Sequence, residues 1–296
     1  MIKFSLAGYY SKYVLNTMIL ALYKTNRHYF YDNIEIESVY GTLPGLIWTG
    51  CRFIYPIQEI NPYSSEIYDM RDAYNDFNIK LRHTFTNSEL TEDMLLDYRG
   101  NSWLKACEKE GNGVIVATEL MAEYIRKNYP TYEIIWSTSC NLTDIDKINE
   151  LSEQDMVVLD YSFNTDKKSL AKFTHPENLE ILCAEYCIDN CPQRQEHYKF
   201  HSKMILNAEK DRRVESACPF FSPYKSNFYE ILKTRDHVLT HEQVEELYNL
   251  YGINHFKLNG RALSVIDYVE VMMYYLIKPE YRDYARMLML LGYYEK

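Results

Sequence analysis

Three of the chain's seven cysteines lie between residues 183 and 191, at a spacing suited to binding a metal. Cys183, Cys187 and Cys191 are each separated by three residues, and Cys218 follows later in the chain. Thiolates bind soft metals, and an iron–sulfur cluster takes four protein ligands, mostly cysteines. We expect Cys187, Cys191 and Cys218 to hold a cluster of the 4Fe-4S type. An odd number of cysteines also argues against a disulfide framework.

The sequence leaves the fourth ligand of this cluster open. Cys183 lies in a predicted strand, four residues before Cys187, whereas Cys51 belongs to a distant loop. Alternatively, the fourth iron has no protein ligand and faces a substrate. Zinc is the other candidate metal, since four thiolates also complete a structural tetrahedral site. A C-x3-C pair followed by one distant cysteine is not a standard zinc-ribbon pattern, so iron–sulfur is favoured.

Four residues at predicted strand ends are candidates for catalysis. Glu185, just before Cys187, is the preferred acid or base. His83 could act as a general base near neutral pH, although a lone histidine beside a strand is more often a core residue. Lys257 and Arg261 could bind a carboxylate or phosphate. The alternative for these two cations is a structural ion pair, which would close a barrel of parallel strands.

Short apolar segments alternate with amphipathic ones along the whole chain, which is the pattern of a parallel sheet with crossover helices. Eight segments qualify as strands: residues 3–7, 35–40, 78–84, 113–118, 133–138, 156–161, 179–185 and 255–259. The turn after the first strand, residues 7–10, lacks the G-x-G-x-x-G spacing of a dinucleotide-binding sheet. We therefore expect one (β/α)8 TIM-type barrel domain over residues 1–296.

Helices are predicted between and after these strands. They cover residues 10–24, 101–110, 119–128, 142–151, a short segment centred on Leu170, and residues 191–207, 241–251, 264–276 and 281–291. Long loops follow strand two (residues 41–77) and strand seven (residues 186–252). A barrel builds its active site at the C-terminal ends of its strands. The cysteine cluster and the candidate catalytic residues should therefore meet at that face.

Composition and charge exclude several classes of protein. Hydrophobic residues make up 47% of the chain, but no run of about 18 apolar residues predicts a membrane span. A net charge of −10 argues against bulk DNA binding. The N-terminal segment predicts a strand and lacks the features of a signal peptide, so we expect a cytoplasmic protein.

Three features of the sequence are shared with a known family: the barrel layout, the cysteine cluster after a late strand, and the segment Phe256–Arg261. The sequence resembles the collagenase-like peptidase family of unassigned mechanism, whose better understood relatives are oxygen-independent hydroxylases of ubiquinone precursors, tRNA and ribosomal RNA. The resemblance implies an iron–sulfur hydroxylase or other oxidoreductase with a small-molecule or RNA-borne substrate and an electron donor protein. Cysteine spacings here are tighter than in characterised members, so ligands cannot be transferred one for one.

Two other functions stay open. One is a cysteine-type peptidase, with Cys187 or Cys183 as nucleophile and His83 or His197 as base. The other is a non-catalytic barrel with a structural metal and a face that binds a partner protein. The G-x-S-x-G, H-E-x-x-H and P-loop motifs are all absent from the sequence, which weighs against other common hydrolases.

Overall fold

Eight parallel strands pair in chain order and close into a barrel, with β8 returning to β1, in a computed structural model that describes residues 1–51, 64–188, 191–207, 227–260 and 263–295. The strands are β1 (Ile2–Ala7), β2 (Ile34–Gly41), β3 (Lys80–Phe85), β4 (Gly113–Val116), β5 (Glu133–Trp136), β6 (Met156–Val158), β7 (Leu179–Leu182) and β8 (His255–Lys257). The predicted (β/α)8 fold is confirmed. That residues 1–296 form one domain stays a prediction.

Helices follow the strands on the outside of the barrel. They are α1 (Tyr13–Thr25), α2 (Ser65–Asp76), α3 (Tyr98–Ala106), α4 (Glu119–Asn128), α5 (Ile145–Ser152), α6 (Lys167–Leu170), α7 (Arg194–Leu206), α8 (Phe228–Thr234), α9 (His241–Tyr251), α10 (Val265–Leu276) and α11 (Arg282–Tyr294). Within the described residues, no helix has the length and apolar character needed to span a membrane.

Side-chain caps explain where the predicted helix ends are accurate. Thr118 accepts a hydrogen bond from the backbone of α4, and Thr240 and Gln243 form a capping box at α9, so both helices have their predicted bounds. No side chain caps α7, which begins at Arg194 rather than at the predicted residue 191. Helices α2 and α8 lie inside the two long loops, at positions where the sequence analysis predicted no helix.

The barrel interior contains a buried network of charged side chains. Glu180 Oε1 accepts hydrogen bonds from Arg82 Nη1 at 2.7 Å and from Ser5 Oγ at 2.5 Å. Lys257 Nζ donates to Glu180 Oε2 at 2.9 Å. The second guanidinium nitrogen of Arg82 donates to Glu37 at 3.0 Å. Every charge in this network therefore has an oppositely charged partner, which is the condition for burying ions in a protein interior.

Both interior carboxylates stay ionised at neutral pH. Burial alone would raise the pKa of Glu180, but Lys257 and Arg82 outweigh it and lower this pKa to about 2. The pKa of Glu37 is lowered in the same way: burial opposes the shift, and His255 and Arg82 overcome it. Acid must therefore protonate these carboxylates before the network breaks.

Candidate functional site

Glu185 and the loop that carries Cys187 lie at the C-terminal mouth of the barrel, just past the end of β7. Glu185 is buried, Cys187 is half-buried and Cys191 is buried. The Glu185 carboxylate accepts a hydrogen bond from the Cys187 backbone N–H at 2.9 Å and another from Asn259 Nδ2 at 2.9 Å. Two donors from the ends of β7 and β8 thus fix the orientation of this carboxylate.

A cation and a phenol stand beside the cysteine loop. Arg194, the first residue of α7, lies 2.8 Å from Asp160 Oδ2, and its guanidinium carbon is 4.6 Å from the centre of the Tyr161 ring. Burial would lower the pKa of Arg194, but Asp160 and Tyr161 raise it above its ordinary value. The Tyr161 hydroxyl donates a hydrogen bond to the Ile188 carbonyl at 3.1 Å. Burial, reinforced by the neighbouring Cys187, raises the pKa of Tyr161. The loop that carries Cys187 is therefore bonded to a phenol whose ring packs against a cation.

Helix α7 extends from this cluster to the loops on the far side of the mouth. Its residue Ser202 accepts hydrogen bonds from the backbone N–H of Cys51 at 3.1 Å and of Ser88 at 3.2 Å. Asn87 Nδ2 donates to the Ser202 carbonyl at 3.2 Å. Eight residues separate Arg194 from Ser202, or about 12 Å of helix. The helix therefore covers the mouth from the end of β6 to the ends of β2 and β3.

Cys51, one candidate fourth ligand, lies at the Ser202 end of α7. Its thiol donates to the Thr86 carbonyl at 2.7 Å, and the residue has a left-handed backbone with φ of 58°. Burial raises the pKa of Cys51, and burial together with Cys51 raises the pKa of Cys140 to about 12. Both thiols are therefore protonated at neutral pH, and Cys187 lies at the opposite end of the helix.

Cys183, the other candidate ligand, is fully buried in the hydrophobic core. Its carbonyl accepts hydrogen bonds from Tyr275 of α10 at 3.1 Å and from the backbone of Leu239 at 2.9 Å. Burial, reinforced by the charge of Glu180, raises the pKa of the Cys183 thiol well above its ordinary value. Its surroundings are those of a packed, neutral cysteine.

His83 lies on the helix-facing side of β3, since its neighbour Arg82 points into the barrel. Its Nδ1 is 3.2 Å from the Tyr9 hydroxyl, and its ring packs against those of Trp103 and Tyr132 at 5.9 and 5.6 Å. Burial lowers the pKa of His83 to about 3. This is the environment of a neutral core histidine, the alternative that the sequence analysis gave for this residue.

The remaining candidates divide between the interior and the undescribed parts of the chain. Lys257 belongs to the interior network, where its ammonium pairs with Glu180 and lies 4.2 Å from the centre of the Tyr40 ring. Its surroundings match the alternative of an ion pair that closes the barrel. Cys218 and Arg261 lie outside the described residues.

Sequence reasoning overlooked two residues next to the cluster. Tyr161 comes three residues after Val158, the last residue of β6, so its position near a strand end was an available signal. His237, whose Nε2 is 3.0 Å from the Glu185 carbonyl, comes from a loop 52 residues further along the chain, and no local pattern indicates it.

The described residues contain no group of three or more His, Cys, Asp or Glu side chains arranged to hold a metal ion. A cluster of the predicted type takes four protein ligands. Cys187 and Cys191, at C-x3-C spacing before α7, would be two of them, and the Arg194 cation at the start of that helix suits a negatively charged group. Cys218, the third predicted ligand, lies outside the described residues.

Comparison with known proteins gives a likeness in fold. No protein-family model matches the chain, and no curated protein matches it either. A solved structure described as that of the U32 peptidase Mk0906 is similar, with a TM-score of 0.53 and 14% sequence identity. The match covers 88% of this chain and 93% of the other. The TM-score shows that the two proteins share a fold, and 14% identity transfers no site residue from one to the other.

Proposed function

We propose that this chain is an iron–sulfur enzyme that works at the mouth of the barrel, with Cys187, Cys191 and Cys218 as cluster ligands. The surroundings of the Cys187 loop carry this proposal: the Tyr161 hydroxyl donates to the Ile188 carbonyl at 3.1 Å, and the Arg194 guanidinium lies 4.6 Å from the centre of the Tyr161 ring. A cation near a thiolate stabilises its negative charge and that of a bound cluster. The fold shared with a structure described as a U32 peptidase supports the likeness to the collagenase-like peptidase family, from which the iron–sulfur assignment is proposed.

The surroundings of the other cysteines favour a cluster with one position free of protein. Cys183 is packed in the core, and the Cys51 thiol is hydrogen-bonded at the far end of α7. A bound cluster would supply electrons or bind a substrate directly at its open position. The reaction type we propose is oxygen-independent hydroxylation or another oxidoreduction of a small-molecule or RNA-borne substrate, with an electron donor protein as partner.

Glu185 is the residue we propose to hold or move a proton during the reaction. Asn259 and the Cys187 N–H occupy one lone pair on each of its oxygens and keep the carboxylate at the mouth. A general acid or base must lie within hydrogen-bond reach of the reacting group, and a fixed orientation favours this. Glu185 is 3% exposed, which limits the access of water to its carboxylate.

The test is anaerobic purification, followed by an absorption spectrum and by iron, sulfide and zinc analysis. We expect a brown protein with absorption near about 400 nm and about four irons per chain. Cys187→Ser and Cys191→Ser should each remove the colour. Cys107→Ser is the matched control, since Cys107 is buried at the end of α3, and it should keep the colour. Glu185→Gln should also keep it.

Two results would contradict this proposal. A colourless protein without iron would exclude the cluster, and a zinc content of about one per chain would favour a structural site. Retention of full iron content by both Cys187→Ser and Cys191→Ser would show that the cluster is bound elsewhere.

The second candidate is a cysteine-type peptidase, which the description of the structural neighbour favours. Cys187 is the better nucleophile of the two predicted ones, because Cys183 is completely buried. A thiol-directed inhibitor should then modify Cys187 in metal-free protein, with Cys187→Ser as the control. Absence of modification would exclude this function.

A further inference from the structure

One face of the last helix, α11, is apolar and exposed to solvent. Tyr284, Met287, Leu288, Leu291 and Tyr294 are 49%, 49%, 38%, 54% and 67% exposed. Ala285 and Met289, on the opposite face, are buried. The five exposed residues follow the three- and four-residue spacing of a helix stripe that packs against another helix. We call them the α11 stripe.

Aromatic rings extend the α11 stripe sideways. The Tyr284 ring meets the edge of the Tyr29 ring at a centroid distance of 5.8 Å, and Tyr29 stacks on Tyr281 at 4.6 Å. His28 packs against Tyr281 at 5.5 Å. Tyrosine and methionine are enriched at protein interfaces, and tyrosine supplies large contact area at low entropic cost. The stripe thus has the composition of an interface.

We infer that the α11 stripe pairs with the same stripe of a second copy of this chain, with the two helices antiparallel. The stripe exposes roughly 500 Å² of mostly apolar surface, because each large side chain contributes about half of its area. A symmetric dimer would bury about 1,000 Å² from the stripes alone, which is the lower limit for a specific interface. The flanking aromatic rings add to this area.

Antiparallel pairing suits the order of residues along α11. A two-fold axis at the level of Met289 sets Tyr284 against Tyr294 and Met287 against Leu291 of the other copy, so four of the five stripe residues meet one another. The same register sets Glu295 near Asp283 of the other copy, whose charge is paired with Arg286 at 2.5 Å. A membrane surface is less suitable, since such helices have a basic polar face, whereas here Arg282 and Arg286 are balanced by Asp283 and Glu295.

Sedimentation equilibrium of the full chain tests the dimer. Over about 1 to 100 µM, a range that spans typical affinities of interfaces of this size, we expect the mass to rise toward twice the chain mass of 35.3 kDa. Leu291→Glu and Met287→Glu should each raise the Kd by about tenfold or more, because dimerisation would bury an unpaired charge. Leu250→Glu is the matched control: this leucine, on α9, is 68% exposed and should not matter.

Two outcomes would overturn the inference. One is a wild-type protein that remains monomeric over the whole range, which would mean that the stripe serves another partner or segment. The other is that both Leu291→Glu and Met287→Glu dimerise with the Kd of the wild type. Circular dichroism checks that each variant is folded, and two substitutions guard against the failure of one. The measurement does not depend on a cluster, so its outcome is independent of the proposed function.

Discussion

Glu180→Gln should destabilise the protein strongly, because it removes the charge that neutralises two buried cations. Glu180 is completely buried, and its carboxylate bonds both Arg82 and Lys257. Its pKa falls from an ordinary value of 4.5 to about 2 in the folded protein. At about 1.4 kcal/mol for each pH unit, this difference corresponds to about 3 kcal/mol of folding free energy at neutral pH.

The sign of the pH dependence follows from the lowered pKa. A carboxyl group whose pKa is depressed on folding contributes its full stability above its ordinary pKa of 4.5, and this contribution is lost as the pH falls toward about 2. The difference in unfolding free energy between wild type and Glu180→Gln should therefore be about 3 kcal/mol at pH 7 and about 2 kcal/mol at about pH 3.5.

Urea unfolding followed by circular dichroism at both pH values measures this difference. Glu150→Gln is the control, since Glu150 pairs with Lys147 on the surface of α5 with 69% of its side chain exposed. That substitution should cost less than about 0.5 kcal/mol. Combining Glu180→Gln with Lys257→Met should recover part of the lost stability. A cost below about 1 kcal/mol for Glu180→Gln at pH 7 would refute the reasoning, given the losses usual for broken buried ion pairs.

Three further changes test other parts of the structure. Between pH 7 and about pH 5, His83 should cost the wild type about 2 kcal/mol of unfolding free energy, because its pKa is 6.5 ordinarily and about 3 when folded. His83→Leu should abolish this part of the pH dependence, and an unchanged pH dependence would contradict this. Gly50→Ala should cost about 1 to 3 kcal/mol in urea unfolding, since the new Cβ would lie 2.6 Å from Ser202 Oγ; wild-type stability would count against it. Tyr275→Phe should lower the unfolding free energy by about 1 to 3 kcal/mol, because the buried Leu239 carbonyl loses the hydroxyl donor at 2.6 Å, while the Cys183 carbonyl keeps the Leu239 N–H; an unchanged melting temperature would disprove it.

The strands could be predicted well because each one is a short apolar run between polar turns. Helices were accurate where a cap marks the start, as at Thr118 and Thr240. Helix α2 was missed because only Ile67, Met70 and Tyr74 are buried on it, which leaves a narrow apolar stripe in a polar segment. Composition alone does not separate such a helix from a loop.

Side-chain direction was the part that the sequence analysis could not supply. Lys257 ends β8, Cys183 follows β7 and His83 lies within β3. Only the register of the closed barrel decides which of them face the interior, the mouth or the helices. A usable signal was present all the same. Lys80 and Arg82 of β3 are two positions apart, so both lie on the same face of the strand, and this spacing indicates a polar face.

Glu180 and Glu185 show why stability and function can be tested separately in this barrel. They are five residues apart and both are buried. Glu180 faces two cations inside the barrel, so its replacement removes their shared counter-charge and should destabilise the protein by about 3 kcal/mol. Glu185 is held by Asn259 and by a backbone N–H, both neutral donors that glutamine can satisfy in part. Glu185→Gln should therefore remain folded, so that a loss of activity in this variant would report on the chemistry at the mouth.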